Sequence, residues 1–126
     1  TILVTFPLPK GEFSMQKIMY NIISKKIAQR IFNGIYPANQ PLPSIRKLAD
    51  EFHCNPNTMQ RALKFLSNQN LIYSERTIGY YVSDNITIQD CKQNAALKSI
   101  SIFLNTMHNL GFNDSEILSL LQDLNV

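Results

Sequence analysis

The 126 residues of this chain predict a mainly α fold with one small β-hairpin. Three observations carry that prediction. Two helix start signals lie close together: Ser44 ahead of Ile45-Arg46-Lys47-Leu48-Ala49, and Asn55 ahead of Pro56-Asn57-Thr58-Met59. Two runs rich in β-formers, residues 71–75 and 79–83, follow directly and are joined by a turn at Arg76-Thr77-Ile78-Gly79. Beyond residue 90, apolar residues recur at helical spacing and are interrupted by Gly111. Two capped helices joined by a tight turn, then a hairpin, then two more helices define a winged helix-turn-helix domain with a two-helix C-terminal tail.

Residues 1–14 read as an N-terminal extension or a cloning remnant, with Gly11-Glu12-Phe13-Ser14 standing ahead of a start at Met15. Ile2-Leu3-Val4 lacks a basic flank and is too short for a secretory apolar core. Over residues 16–33, Ile18, Ile22, Ile23, Ile27 and Ile31 predict a first helix with one buried stripe, and Gly34 closes it in the left-handed conformation. Pro37, Pro41 and Pro43 make the next segment a stiff, extended loop.

The second helix is expected over about 44–52, capped by the Ser44 hydroxyl and burying Leu48, Ala49 and Phe52. The third is expected over about 56–69. Asn55 caps it, and Pro56 falls at the first helical position, where its missing N–H costs nothing. Met59, Ala62, Leu63 and Leu66 repeat at helical spacing and point inward, while Asn57, Gln60, Arg61 and Lys64 repeat on the other side. Asn and Gln can pair bidentately with adenine, Arg with guanine, and Lys suits phosphate. The same polar face also suits a helix that simply meets solvent. In the hairpin, Arg76-Thr77-Ile78-Gly79 forms the turn. Arg76 is placed to reach a phosphate or a narrow minor groove, or to be an ordinary exposed turn residue.

After a polar link, residues 90–110 predict a helix whose apolar face holds Leu97, Ile100, Phe103, Leu104, Met107 and Leu110. Asn113 or Asp114 caps a last short helix with Ile117, Leu118, Leu120, Leu121 and Leu124. Two helices cannot bury these faces on each other alone. A second copy of the chain is the preferred partner, and packing back on the winged domain is the alternative. The expected division is a winged domain over 15–83 and a dimerisation tail over 84–126.

Hydrophobic residues make up 44% of the chain, enough for a normal core, and no apolar run approaches a membrane span. Residues 15–82 carry nine Lys/Arg against three Asp/Glu, a net +6, whereas residues 83–126 carry two against five, a net −3. That segregation suits a first part that meets a polyanion, though a few charges can also segregate by chance. Cys54 and Cys91 form no disulfide framework, fill the role of small apolar residues, and fit a reducing, cytoplasmic setting. No nucleophile–base pair or metal cluster is visible: His53 and His108 stand alone by spacing. The chain therefore reads as a non-enzyme without cofactors.

These residues resemble a known family. Ile18-Met19-Tyr20-Asn21-Ile22-Ile23, Gly34, Leu42-Pro43-Ser44-Ile45-Arg46-Lys47-Leu48-Ala49, Asn57-Thr58-Met59-Gln60-Arg61-Ala62-Leu63, Leu71-Ile72 and Gly79-Tyr80-Tyr81-Val82 are similar, in order and in spacing, to the GntR family of bacterial transcription regulators. The short tail, with Asn55-Pro56-Asn57-Thr58 ahead of Gln60-Arg61-Ala62, resembles the YtrA-type branch. That resemblance implies a dimer formed through the tail and a gene often placed beside transporter genes. It also implies DNA contacts from Arg46, from Asn55, Asn57, Thr58 and Gln60, and from Arg76, Thr77 and Gly79 at the wing. Three positions depart from the family pattern: Pro56 where other branches place a basic base-reader, Thr77 for the first wing glycine, and Asn70 for the glycine that ends the third helix. The expected partners are double-stranded DNA and a second copy of the chain, with an unidentified small-molecule effector left open and no membrane. The expected function is sequence-specific repression by a homodimer on a palindromic operator; a winged helix that binds only protein is the alternative.

Overall fold

The computed structural model describes residues 15–76 and 79–124. The expectations for residues 1–14 and for Thr77 lie outside the described residues. The order is α1 (Met15–Phe32), α2 (Ile45–Glu51), α3 (Pro56–Asn68), β1 (Ile72–Glu75), β2 (Gly79–Val82), α4 (Asn85–Asn109) and α5 (Asp114–Asp123). The chain divides into two compact units, one ending at Cys91 and the other starting at Lys92.

In the first unit, α1, α2 and α3 enclose a core of Ile23, Ile27, Ile31, Leu48, Met59, Leu63 and Leu66, joined by Leu71, Ile72 and Val82 from the hairpin. The expected single stripe on α1 is split. Ile23, Ile27 and Ile31 are buried, while Ile18 and Ile22 are 37% and 45% exposed. At about 100° per residue the two sets point nearly opposite ways, and Tyr20 packs inward instead, its ring 6.3 Å from that of Phe65. Phe52, expected in the core, is only half-buried.

The hairpin pairs Ile72 with Val82 and Tyr73 with Tyr81. Ile72 and Val82 face the core; the Tyr73 and Tyr81 rings stack 5.7 Å apart on the other face. The segment expected as a stiff, extended loop makes an isolated antiparallel bridge to β2. Leu42 N–H donates to the Tyr80 carbonyl at 2.8 Å, and Val82 N–H donates to the Gln40 carbonyl at 2.9 Å. Pro41 thus pairs with Tyr81. Proline tolerates this edge because it owes no hydrogen bond there.

Helix α4 begins earlier than expected. The stretch read as a polar link is its first turn, because Asp84 accepts the Thr87 N–H at 2.7 Å. That N–H, together with the Thr87 hydroxyl, holds the Asp84 carboxyl below its usual pKa. Ile88 enters the core, and the Cys91 thiol donates to the Gln69 carbonyl at 3.4 Å. In the second unit, Asn113 and Glu116 form a reciprocal capping box at the start of α5.

Four helices end with the same pair of backbone bonds. At Gly34, His53, Asn70 and Gly111 a left-handed residue donates back three positions, and the next residue donates back five. Gly111 adopts this without strain. His53, with φ of 53°, pays a steric cost for its Cβ in the turn between α2 and α3. His53→Gly is therefore expected to raise stability by up to about 1 kcal/mol, read as a Tm increase of a few degrees.

Candidate nucleic-acid interface

Two caps fix the geometry of α2 and α3. The Ser44 hydroxyl accepts the Lys47 N–H at 3.1 Å, and the Asn55 carboxamide oxygen accepts the Asn57 N–H at 2.8 Å. The caps set where each helix starts, and so which side chains face out. On α3 the inward ridge is Met59, Ala62, Leu63 and Leu66, all buried. The outward ridge is Asn57, Gln60, Arg61 and Lys64, all exposed. Their i, i+3, i+4, i+7 spacing places these four on one line along the helix. Among the described residues none of the four side chains has a hydrogen-bond or ion-pair partner, so their donors are unspent.

Arg46 and Lys47 are exposed in the first turn of α2, and among the described residues their side chains have no partner either. Arg76 is exposed in the hairpin turn, and Gly79 opens β2 with φ of 102°. The Asn55 oxygen is occupied by the cap, leaving its amide protons as the donors toward a ligand. Thr58 stands apart. It is 5% exposed, so its side chain lies inside the domain and offers nothing to a surface partner. A helix turns about 100° per residue, and consecutive positions cannot share a face.

Nothing in the local sequence signals what Arg30 does. Its guanidinium Nη1 donates to the Tyr36 hydroxyl at 2.7 Å and to both Glu51 carboxylate oxygens at 3.1 Å. It also lies 4.7 Å from the centre of the Phe52 ring. The Tyr36 hydroxyl and the Glu51 carboxylate raise its pKa further above the usual arginine value. Arg30 is a staple between the ends of α1 and α2, not a cation presented to a ligand. Arg30→Ala is expected to cost about 1–2 kcal/mol in denaturant unfolding, with DNA affinity of the folded protein unchanged.

Most of the side chains predicted for a dimer interface are open in the single chain. Leu97, Ile100, Phe103 and Leu110 on α4 are exposed, as are Leu120, Leu121 and Leu124 at the other end of the tail. Leu104 and Met107 are half-buried. Ile117 is only 2% exposed and so is spent within the chain itself. His108, expected to stand alone, has its Nε2 2.7 Å from Asp114 Oδ1. The turn at Gly111 brings the start of α5 back beside the last turn of α4. Among the described residues there is no cluster of metal-ligating side chains, and no helix is long and apolar enough to cross a membrane.

A helix pair closed by a left-handed turn, with a hairpin laid against the second helix, is a winged helix-turn-helix. Residues 19–82 match the model for the gntR family of bacterial regulatory proteins, and the chain belongs to that family. It is 38% identical over 71 residues to the HTH-type transcriptional regulator GmuR of Bacillus subtilis (strain 168), covering 56% of this chain and 30% of that one. It is 34% identical over 67 residues to the HTH-type transcriptional repressor YtrA of the same strain, covering 53% of this chain and 52% of that one. The chain thus spans about half or less of the length of these two relatives. A solved GntR family transcriptional regulator from Listeria monocytogenes superimposes with a TM-score of 0.78 at 31% identity, covering 88% of this chain and 98% of that one.

Proposed function

We propose that the chain is a sequence-specific DNA-binding repressor of transcription that acts as a cytoplasmic homodimer on a palindromic operator. In this reading residues 15–83 hold the DNA and residues 84–126 hold the two copies together. The observation that carries it is the exposed, unpaired ridge Asn57, Gln60, Arg61 and Lys64 on a helix fixed by its own cap. Side chains with unsatisfied donors at helical spacing are what a major groove requires. Asn57 and Gln60 take adenine, Arg61 takes guanine, and Lys64 takes a phosphate. Arg46, the Asn55 amide, Arg76 and the Gly79 backbone add contacts on either side. The likeness to YtrA, itself named a repressor, supports repression as the mode. An unidentified small-molecule effector fits the reading without being required by it.

The test is selection of genomic duplex fragments by the purified protein, followed by anisotropy titrations across salt concentrations. Two exposed cations on phosphate per protomer give a slope of about −4 in log affinity against log salt for a dimer. Absence of duplex binding even at low salt overturns the proposal and leaves a protein-interaction module.

A further inference from the structure

We propose that Glu75 is a specificity-determining residue that cancels the wing's preference for narrow, A·T-rich minor grooves; this rests on the DNA-binding reading above. Glu75 is the last residue of β1 and is paired across the hairpin with Gly79, which has no side chain to cover it. It is exposed, and it precedes Arg76 in the turn. Among the described residues its carboxylate has no hydrogen-bond or ion-pair partner. Glu51, by contrast, is held by Arg30. The described end of the wing therefore carries one free cation and one free anion, a net charge of zero.

A narrow A·T-rich minor groove has an enhanced negative potential, which is what draws arginine side chains into it. The same field repels a carboxylate carried on the adjoining residue. Arg76 gains from groove narrowing what Glu75 loses, so the wild-type wing draws no advantage from A·T-rich flanks. Removing the carboxylate's charge leaves Arg76 alone and turns the flank preference toward A·T.

The experiment runs wild type and Glu75→Gln in parallel through selection from a random-sequence duplex library. Both are then titrated on two duplexes that share the selected core and differ only in A·T or G·C flanks. Glu75→Gln is expected to raise the A·T-over-G·C affinity ratio by about threefold per wing, or about tenfold for a dimer, the size of a unit-charge contact at high dielectric. Asp90→Asn removes one charge from an exposed position on α4 and is expected to leave that ratio unchanged. Equal melting temperatures for Glu75→Gln and wild type establish that the variant is folded. An unchanged ratio in Glu75→Gln, or one that rises equally in Asp90→Asn, overturns the proposal while the DNA-binding reading stands. Failure of the wild type to bind any duplex overturns that reading and this inference with it.

Discussion

Arg61→Ala is expected to weaken binding to the selected operator by at least about thirtyfold while leaving the melting temperature within a degree or two of wild type. The stability half of the expectation follows from position. Arg61 is exposed on α3, and among the described residues its guanidinium has no partner, so truncation removes no hydrogen bond or ion pair there. The affinity half follows from chemistry. A bidentate arginine–guanine pair discriminates against the wrong base by about 1–3 kcal/mol, and a homodimer loses it twice. Arg61 also stands on the α3 ridge directly after the two carboxamides, Asn57 and Gln60, and nearer the helix start than Lys64. The loss should therefore concentrate at one base pair per half-site, with the other positions read as before.

Lys64→Ala provides the contrast, because a phosphate contact carries no sequence information. Its loss weakens all duplexes alike and makes the salt slope about one unit shallower per protomer. Titration of Arg61→Ala on duplexes mutated base by base separates the two cases. Uniform weakening across all sequences would reassign Arg61 to the backbone and leave Asn57 and Gln60 as the base readers.

What the sequence made legible was what local physics decides. Ser44, Asn55 and Asn113 each bond a backbone N–H within three residues, so their caps could be read from the chain itself. Asn70 takes the left-handed position that a glycine fills elsewhere, and its short polar side chain tolerates it. The inward ridge of α3 needed only helical spacing. What stayed hidden depends on residues far apart in sequence. Arg30 reads as one more surface cation until Glu51, 21 residues on, closes over it. Pro41 reads as a loop proline until β2 comes alongside. The split face of α1 was present in the numbers, since Ile18–Ile22 and Ile23–Ile27–Ile31 form two separate i, i+4 series. Treating them as one stripe concealed it. Thr58 was carried with its neighbours as a run, where helical geometry alone would have turned it inward.

The largest change in assembly is expected from Ile100→Asp. Ile100 is 53% exposed on α4, on the side of the helix that also carries Leu97 and Phe103. A carboxylate there costs the single chain little. In a two-fold symmetric interface the same substitution places two unpaired anions on the surface that both copies present. Each loses solvation without gaining a hydrogen bond, a penalty of about 3 kcal/mol or more. Leu104 and Ile117 serve less well as probes, because both are at least half-buried in the single chain and their replacement would disturb its folding. Sedimentation should show Ile100→Asp as a monomer at concentrations where the wild type is a dimer. Ile102→Asp, on the far side of α4 and likewise exposed, should leave the dimer intact. Operator binding should fall with it by about a hundredfold or more, since each winged domain then engages its half-site without the effective concentration supplied by its twin. A variant that sediments as a dimer and binds normally would move the interface off this face of α4.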